Sequence, residues 1–300
     1  MRLLELFSGI GAVAAASQGF DIVGAIDISQ PAASVYAENF SSPVLVREIS
    51  TLSDDTLDGF QADVWWMSPP CQPFTRRGLK ADIHDPRCQA LQRMIDAIPR
   101  ILPPIVAMEN VHGFESSLAF SKMRNVLDDA GYRIATEKLC SSQFGIPNLR
   151  PRFFVIASRV GEPSLASPEP TPIRAIESFL DAQAQISRWD DLEVSPQKLE
   201  EYAHAVSIVT PAEDLSRCFT SAYGQSIVRS GSYLRLPDGI RRFSPSEVAR
   251  LLGFQDHFIL PEHLSTRQLW KLLGNSLSIH CVQHVLQEVK RLAGSGSPNN

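Results

Sequence analysis

The sequence lacks paired cysteines. It has five cysteines in 300 residues, and no two of them are spaced as in a C-x-x-C motif. An odd number without short paired spacings argues against a disulfide framework and against a structural zinc site. We therefore predict thiols in a reducing compartment and no bound metal. The five are Cys71, Cys88, Cys140, Cys218 and Cys281.

Long hydrophobic runs are also missing. No apolar run approaches the roughly 20 residues that cross a membrane, and the N-terminal segment, with an acid at Glu5, has no signal-peptide layout. We expect a soluble, cytoplasmic protein with no membrane partner. An apolar content of 44% is enough for a full-sized core, and 300 residues exceed the usual size of a single domain.

The chain has no excess of positive charge, since 28 Lys and Arg face 33 Asp and Glu. The charge is nevertheless uneven along the sequence. Residues 161–204 hold nine acids against three bases, whereas residues 215–250 hold six arginines against two acids, and residues 70–100 hold six bases against three acids. A local surface that faces phosphates would produce this split, and so would an ordinary solvated surface.

The first 158 residues alternate short apolar segments with helical patterns. This alternation predicts an α/β fold with a doubly wound, mainly parallel sheet of Rossmann-like type. The predicted strands are Leu3–Phe7, Ile22–Ile26, Val44–Glu48, Val64–Met67, Ile105–Glu109, Arg133–Leu139 and Phe153–Ala157. The predicted helices are Ala12–Gln18, Ala32–Glu38, Gln89–Ile101 and Ser121–Ala130.

Four prolines between residues 163 and 172 mark a boundary. We predict a first domain made of residues 1–160 and 240–293, a small lobe at 161–239 and a flexible tail at 294–300. Within the lobe, residues 174–204 have a polar helical pattern. A capping box at Ser244–Glu247 opens a later helix, and an apolar stripe predicts a last helix near Leu277–Leu292.

The segment Ser68-Pro69-Pro70-Cys71 follows the predicted strand Val64–Met67 directly. Two prolines stiffen the chain and disfavour helix, so the cysteine lies on a rigid loop at the carboxyl end of a strand. Ligands bind at that edge in open α/β sheets, and a thiol there can act as a nucleophile. The alternative is a small buried hydrophobic residue in a turn.

The pattern Gly9-x-Gly11-x-x-Ala14 follows a strand and opens a helix, as in the dinucleotide-binding fingerprint. Asp27 ends the next strand, where a carboxylate can accept hydrogen bonds from ribose hydroxyls. The pattern alone does not separate NAD from S-adenosylmethionine. For Asp27, the alternative is a turn or helix cap.

Glu109 ends the apolar strand that begins at Ile105, where burial would raise the pKa of its carboxyl group and let it carry a proton near neutral pH. The alternative is a structural acid in a salt bridge, with Arg150 and Arg152 as candidate partners. These two arginines are two residues apart in an extended segment, so we expect their side chains on one face.

Pro70-Cys71-Gln72-Pro73-Phe74 resembles the nucleophile loop of the cytosine-C5 methyltransferases, and further motifs of that family follow in its order. The segment Arg217–Gly224 is similar to the Cys-Phe-Thr-x-x-Tyr-Gly signature of one branch, which methylates a cytosine of the cytosine-38 type in the anticodon loop of tRNA, typically aspartate tRNA. The other matching segments are Leu4–Gly11, Met108–Val111, Phe144–Arg152 and Leu273–Ser276.

The resemblance implies S-adenosylmethionine as the cofactor, a covalent adduct between the Cys71 thiolate and cytosine C6, and residues 161–239 as the target-recognition lobe. The implied catalytic residues are Cys71, Glu109, Arg150 and Arg152. The implied cofactor-binding residues are Phe7, Gly9, Ile10, Gly11, Asp27, Ile28, Glu48, Ile49, Pro70, Asn275 and Ser276. The implied substrate-binding residues are Gln72, Arg76, Arg77, Cys218, Phe219, Thr220 and Tyr223.

These patterns predict a monomeric tRNA cytosine-C5 methyltransferase. The main alternative is a DNA cytosine-C5 methyltransferase of a restriction-modification system, which shares every catalytic motif. The segment between Ala157 and Asp238 is short for a lobe that reads a specific duplex sequence, and the signature around Cys218 favours RNA. A nucleic-acid-binding protein with weak catalysis is a third alternative, against which the intact Cys71 and Glu109 argue. A dehydrogenase would have no use for Pro70-Cys71-Gln72.

Overall fold

The computed structural model describes residues 1–71, 82, 85–182, 189–213 and 215–295. By packing, the chain divides into two compact units. The first unit comprises Met1–Leu139, Pro151–Ser167 and Val282–Asn300, and the second comprises Cys140–Arg150 and Pro168–Cys281. Residues 240–281 therefore pack with the second unit, whereas the sequence assigned them to the first domain. The predicted functional division stays a prediction.

The first unit is built on a seven-stranded sheet, with the strand order β3-β2-β1-β4-β5-β8-β6. Neighbouring strands from β3 to β5 are parallel, and β8 is antiparallel to both β5 and β6. This confirms the predicted α/β fold. The strands are β1 (Arg2–Leu6), β2 (Asp21–Asp27), β3 (Val44–Val46), β4 (Val64–Met67), β5 (Ile105–Val111), β6 (Arg133–Leu139) and β8 (Arg152–Ser158).

Helices connect these strands at positions close to those predicted. The ranges of β4, β6 and α4 agree with the sequence prediction residue for residue, because each is a sharply bounded apolar or amphipathic segment. The last helix, α10, runs to Ser295, beyond the predicted start of the tail. The helices are α1 (Ala12–Ala16), α2 (Gln30–Asn39), α3 (Asp54–Asp58), α4 (Gln89–Ile101), α5 (Leu118–Asp129) and α10 (Ile279–Ser295).

Alternation along β1 and β4 sends successive side chains to opposite faces of the sheet. One face carries Leu4, Leu6 and Met67 into a core that includes Met94 and Ile98 of α4. Each fully buried side chain of this kind stabilises the fold by roughly 1.5–3 kcal/mol. This core holds the carboxyl ends of β1, β4 and β5 in place, where the predicted site residues lie.

The opposite face of β1 carries a buried acid, Glu5, whose side chain is 1% exposed. Burial raises the pKa of Glu5 from 4.5 to about 8, and the charge of Asp27 adds to this. A hydrogen bond from the Tyr36 hydroxyl group (3.3 Å) and the backbone N–H groups of Val13 and Ala14 act in the other direction. The folded protein thus retains a proton on Glu5 at neutral pH.

We expect Glu5 to make stability depend on pH. Its folded pKa lies above its unfolded value, so its contribution is complete below about pH 4.5 and is lost as the pH rises toward about 8. Glu5→Gln, a neutral isostere, should remove this loss. Urea unfolding between pH 5 and 8 measures this effect. The free energy of unfolding of the variant, relative to wild type, should rise by up to about 1.4 kcal/mol per pH unit. Parallel pH profiles for the two proteins would contradict the assignment.

The second unit contains a three-stranded sheet of order β12-β11-β9 and the short parallel pair β10-β7. The capping box at Ser244 is confirmed, because the Ser244 hydroxyl accepts the Glu247 N–H and the Glu247 carboxylate accepts the Ser244 N–H. The elements are β7 (Asn148–Leu149), α6 (Trp189–Leu192), α7 (Pro196–Glu201), β9 (Ser207–Val209), β10 (Ser216–Arg217), β11 (Ser232–Leu236), β12 (Gly239–Arg242), α8 (Pro245–Leu252) and α9 (Thr266–Asn275).

The helical pattern predicted over residues 174–204 does not form one helix. Its described part contains a 3-10 turn at Ile176–Phe179 and the two short helices α6 and α7. Pro196 opens α7 and cannot continue a preceding helix, so the run is broken there. Within the described ranges, no helix is long and apolar enough to cross a membrane.

Candidate active site

Cys71 lies on a loop at the carboxyl end of β4, as predicted. β4 ends at Met67, and the Ser68 N–H donates to the Leu6 carbonyl oxygen (3.2 Å). The Ser68 hydroxyl accepts the indole N–H of Trp66 (2.9 Å). Pro69 is buried, Pro70 is exposed and Cys71 is half-buried. Hydrogen bonds and packing therefore fix the segment that leads into the Cys71 thiol.

Asn110, on β5, ties this loop to the neighbouring strand. Its side-chain N–H group donates to the Pro69 carbonyl oxygen (3.3 Å), and its side-chain oxygen accepts the Val111 N–H (2.8 Å). The side chain is fully buried, where a polar group needs such partners. Sequence reasoning gave Asn110 no role, although an amide inside an apolar strand was a signal that could have found it.

Glu109 and Arg152 form a largely buried ion pair, with 3.0 Å between Arg152 Nε and Glu109 Oε1. Strand register explains the pair. Val111 lies opposite Arg152 and Glu109 lies opposite Phe154, so Glu109 and Arg152 are diagonal neighbours on one face. The ion pair therefore fixes the position of the Glu109 carboxyl group on β5.

Arg150 packs within the second unit, and its predicted place on one face with Arg152 stays a prediction. Arg150 is 2% exposed, and its guanidinium donates to acceptors of the second unit. These partners come from segments far away in the sequence, which the two-residue spacing did not reveal. Arg152 has the predicted contact with Glu109.

Arg87 is a cation near the nucleophile that the sequence did not single out. Its guanidinium holds the Asp85 carboxylate at 2.6 and 2.9 Å. The pKa of Arg87 is raised by that hydrogen bond first and, by a smaller amount, by the charge of Cys71. Arg87 is therefore a cation whose charge interacts with that of Cys71.

The glycine loop after β1 has the backbone that the fingerprint predicts. Phe7, Gly9 and Gly11 have φ angles of 59°, 54° and 87°. A Cβ on Gly11 would overlap the ring of Phe40, and Phe7 holds a conformation that costs of order 1–3 kcal/mol for a non-glycine residue. Such strain is concentrated at ligand-binding turns. The loop then leads directly into α1.

Asp27 organises this loop. Its Oδ2 accepts the Gly9 N–H (2.8 Å) and its Oδ1 accepts the Ser29 N–H (2.8 Å). Burial raises the pKa of Asp27, and the hydrogen bonds from Ser29 and Gly9 oppose that rise. Asp27 therefore acts as a turn cap, the alternative left open by the sequence, and each oxygen keeps a second lone pair for a hydroxyl group.

The loop also contains a buried hydroxyl with no partner among the described residues. The side-chain oxygen of Ser8 is in this state although Ser8 is buried. A buried polar atom of this kind costs free energy unless a ligand or water binds it. Ser8 was not among the predicted cofactor residues. Its position in the glycine loop fits a polar ligand such as the methionine part of S-adenosylmethionine.

The other predicted cofactor residues of the first unit differ in accessibility. Ile28 is 64% exposed and offers an apolar surface, whereas Ile10 and Ile49 are buried. Ile49 lies in the hydrophobic core, so only its backbone is available to a ligand. The Glu48 carboxylate accepts the Ser50 N–H (3.3 Å) and caps the 3-10 turn that follows.

Phe219 and Tyr223 of the signature segment are core residues, and their predicted contact with substrate stays a prediction. Tyr223 is 1% exposed; its hydroxyl group donates to the Ser232 carbonyl oxygen (2.8 Å) and accepts the Phe243 N–H (3.0 Å). Its ring packs edge-on against Phe219, with 5.0 Å between centroids. Three predicted substrate residues, Gln72, Arg76 and Arg77, lie outside the described residues.

Thr220 and Cys218 are half-buried, and the Thr220 N–H donates to the Ser230 carbonyl oxygen (2.8 Å). Asn275 is exposed at the end of α9. Ser276 is buried, and its hydroxyl has no hydrogen-bond partner among the described residues. The last two therefore offer polar groups at the turn where the resemblance places a cofactor contact.

Arg241 does not belong to a phosphate-facing surface. It is buried and pairs with Glu247 through two hydrogen bonds of 2.8 and 2.7 Å. By contrast, Arg217, Arg229 and Arg235 are exposed. The basic segment therefore presents these three side chains to solvent, while Arg241 is part of the core of its unit.

Neither a disulfide nor a metal cluster is present in the part of the chain that the structure describes. All five cysteines fall within that part and are thiols. The arrangement of Cys71, Glu109 and Arg152 is thus a nucleophile followed by an acid–cation pair on adjacent strands. It can add to an electron-poor ring and hold the ring's polar atoms.

Comparison with known proteins agrees with this geometry. The family model for the C-5 cytosine-specific DNA methylase matches residues 1–223 and 216–291. A tRNA (cytosine(38)-C(5))-methyltransferase of Schizosaccharomyces pombe is 33% identical over 95% of the chain and 96% of its own length. The crystal structure of S. pombe Dnmt2 methyltransferase gives a TM-score of 0.83 at 32% identity, covering 96% of this chain and 97% of that one.

A third relative has a different name. A DNA (cytosine-5)-methyltransferase of Dictyostelium discoideum is 28% identical over 96% of the chain and 93% of its own length. The chain is therefore similar, over nearly its whole length, both to a protein named as a tRNA methyltransferase and to one named as a DNA methyltransferase.

Proposed function

Because this chain belongs to the C-5 cytosine-specific DNA methylase family, we propose that it methylates C5 of a cytosine in transfer RNA, in an anticodon loop of the cytosine-38 type. The chain is an S-adenosylmethionine-dependent methyltransferase of that family. The observation that carries the proposed chemistry is the Cys71 loop held by Asn110 beside the Glu109–Arg152 pair.

Cytosine C5 is too weak a nucleophile to take a methyl group directly. The Cys71 thiolate adds to C6, and the electron pair of the C5–C6 bond becomes available at C5. S-adenosylmethionine supplies an electrophilic sulfonium methyl group when it is bound. Once C5 has taken that methyl group and S-adenosylhomocysteine is left, loss of the C5 proton to water restores the double bond and expels the thiolate. Asn110 fixes the loop that presents the thiol.

Activation of the ring falls to Glu109 and Arg152. A protonated Glu109 donates to cytosine N3, which draws electrons from C6 and eases thiolate addition. The Arg152 guanidinium, which holds Glu109 in the present structure, can donate to cytosine O2. The buried pair thus becomes a base-binding pair once a cytosine enters.

The residues present fit S-adenosylmethionine. The buried Ser8 hydroxyl has no partner among the described residues and lies in the loop where the methionine part is expected. Asp27 retains acceptor capacity for ribose hydroxyls, and exposed Ile28 offers an apolar surface for adenine. We propose that Asn275 and Ser276 also contact the cofactor.

We favour tRNA over duplex DNA as the substrate. The S. pombe relative is named for tRNA, and the signature at Cys218–Gly224 resembles that branch. The alternative rests on the relative named for DNA. A loop base in a folded tRNA is already partly unstacked, so moving it to Cys71 costs less than opening a duplex. Aspartate tRNA is the species that we propose first.

We expect the labelled methyl group of S-adenosylmethionine to enter tRNA far faster than genomic DNA when the protein is incubated with each nucleic acid separately. An aspartate tRNA transcript with uridine in place of the target cytosine should stay unlabelled. The same pools given to Cys71→Ala protein provide the background. Faster labelling of duplex DNA at a short defined sequence would overturn the tRNA proposal and leave the catalytic residues in place.

Binding of the same tRNA tests whether the exposed arginines contact its phosphates. If Arg217, Arg229 and Arg235 contact phosphates, alanine at each should flatten the log–log salt dependence of tRNA binding by up to about one unit. Arg124→Ala, at an exposed position on α5, is the matched control and should leave the slope unchanged. Slopes equal to wild type in all three variants would place the phosphate contacts elsewhere.

A further inference from the structure

Arg150 links two segments of the second unit through one guanidinium. Its Nη1 donates to Cys218 Sγ (3.2 Å) and to the Phe219 carbonyl oxygen (2.9 Å). Its Nη2 donates to the carbonyl oxygens of Gly274 (3.0 Å) and Ser276. The side chain is 2% exposed. The start of the signature segment and the end of α9 are thus held by the same cation.

The two segments also meet backbone to backbone. A Cβ on Gly274 would overlap the carbonyl carbon and oxygen of Thr220 and the nitrogen of Ser221. Glycine at this position allows the signature segment to lie directly on the last turn of α9. A side chain at position 274 would therefore displace the signature segment or the last turn of α9.

The turn at the end of α9 needs such support. The last carbonyl groups of a helix have no partner inside the helix, and a cation near this end is favourable. Arg150 supplies a hydrogen-bond donor and a positive charge to the carbonyl groups of Gly274 and Ser276. It thereby fixes the backbone from which Asn275 projects, and it orients the buried Ser276 hydroxyl, which has no hydrogen-bond partner among the described residues.

We propose that Arg150 and Cys218 are positioning residues for the Asn275–Ser276 turn, and that they act on the reaction through cofactor binding. Cys218 accepts a hydrogen bond from the guanidinium and so selects the orientation in which Nη2 reaches the turn. The signature segment then supports the cofactor turn and does not read the RNA. This assignment rests on the proposed function, because it takes Asn275 and Ser276 as cofactor contacts.

The burial of the signature aromatics supports this assignment. Phe219 and Tyr223 face the interior, and Trp270 of α9 packs edge-on against Tyr223 with 5.3 Å between centroids. The indole N–H of Trp270 donates to the Phe243 carbonyl oxygen (3.0 Å). The segment is therefore built into the packing of α9, which a surface that reads nucleic acid would not require.

The test compares Cys218→Ala with Cys218→Ser. We expect Cys218→Ala to raise the Kd for S-adenosylhomocysteine and the KM for S-adenosylmethionine by roughly 3- to 10-fold, the size of an ordinary lost hydrogen bond. A serine hydroxyl still accepts from the guanidinium, so Cys218→Ser should stay nearer to wild type. With cofactor saturating, kcat and the Kd for tRNA should change by less than about twofold. Arg150→Lys should raise the cofactor Kd at least as much as Cys218→Ala.

Two variants serve as controls. Cys140→Ala removes another half-buried thiol of the second unit, one whose Sγ accepts from the Ser142 hydroxyl (3.2 Å), and should leave the cofactor Kd unchanged. Arg250→Ala breaks the ion pair with Asp181 and lowers stability without touching the turn. If Arg250→Ala raised the cofactor Kd as much as Cys218→Ala, the effect would be general loosening and the proposal would fail.

A Cys218→Ala protein that loses tRNA affinity while its cofactor Kd stays at the wild-type value would also overturn the proposal. Cofactor affinity is measured calorimetrically without nucleic acid. Failure of the tRNA assignment would therefore leave this result standing, and the two outcomes are distinguishable.

Discussion

Replacing Cys71 with alanine is expected to abolish methyl transfer while folding and cofactor binding stay close to wild type. Cys71 is the thiol at the carboxyl end of β4, and the loop is held by Asn110 through Pro69, so the fold does not depend on the sulfur. Without a nucleophile C5 is not activated. Single-turnover assays with labelled cofactor measure the loss. A rate within tenfold of wild type would exclude the covalent mechanism.

A trapping experiment tests the same thiol directly. RNA that carries 5-fluorocytosine at the target position cannot lose a proton from C5, so the adduct cannot resolve. A denaturation-resistant protein–RNA complex should form with wild type and be absent with Cys71→Ala. Cys140→Ala, which removes a thiol of the other unit, should still form it. Trapping that persists in Cys71→Ala would assign the adduct to another residue.

Much of the fold follows from local sequence. The run Val64–Met67 is apolar on both faces of the strand and is followed closely by two prolines. Its strand and the loop after it were therefore predictable to the residue. The capping box at Ser244 was equally local, because its partners are three residues apart. The position of Cys71 followed from these signals.

The partners of polar side chains were predicted less well. The acceptors of Arg150 are 68 to 126 residues away in the sequence, so a guanidinium that organises a helix end looked like one that contacts a base. Arg241 looked like a surface cation until its pairing with Glu247 was seen. The burial of Tyr223 was not predicted, because a motif shows which residues are present and not whether they face inward.

Two residues were missed for a related reason. Asn110 and Ser8 lie inside motifs that the sequence did reveal, yet neither stood out by spacing. The role of Asn110 follows from a hydrogen bond to Pro69, which requires the pairing of β4 with β5. The role of Ser8 follows from a buried oxygen with no described partner. Both depend on packing that only the folded chain defines.

The second large effect is expected at Glu109. Glu109→Gln should lower the rate of the chemical step by about 10²-fold or more, the usual size of a general-acid contribution, because the amide cannot deliver a proton toward cytosine N3. Binding of tRNA and cofactor should persist, since the substitution keeps the size of a buried side chain. The rate of the chemical step should also fall steeply in Arg152→Ala, because this change leaves the buried carboxylate without its 3.0 Å partner.

The matched control is Glu115→Gln, which alters an acid paired with Lys138. Its rate should stay within about twofold of wild type. Single-turnover rates with tRNA in excess, together with calorimetric cofactor affinities, separate the two effects. If Glu109→Gln weakened only cofactor binding and left the chemical step intact, Glu109 would belong to the cofactor site and not to the base pocket.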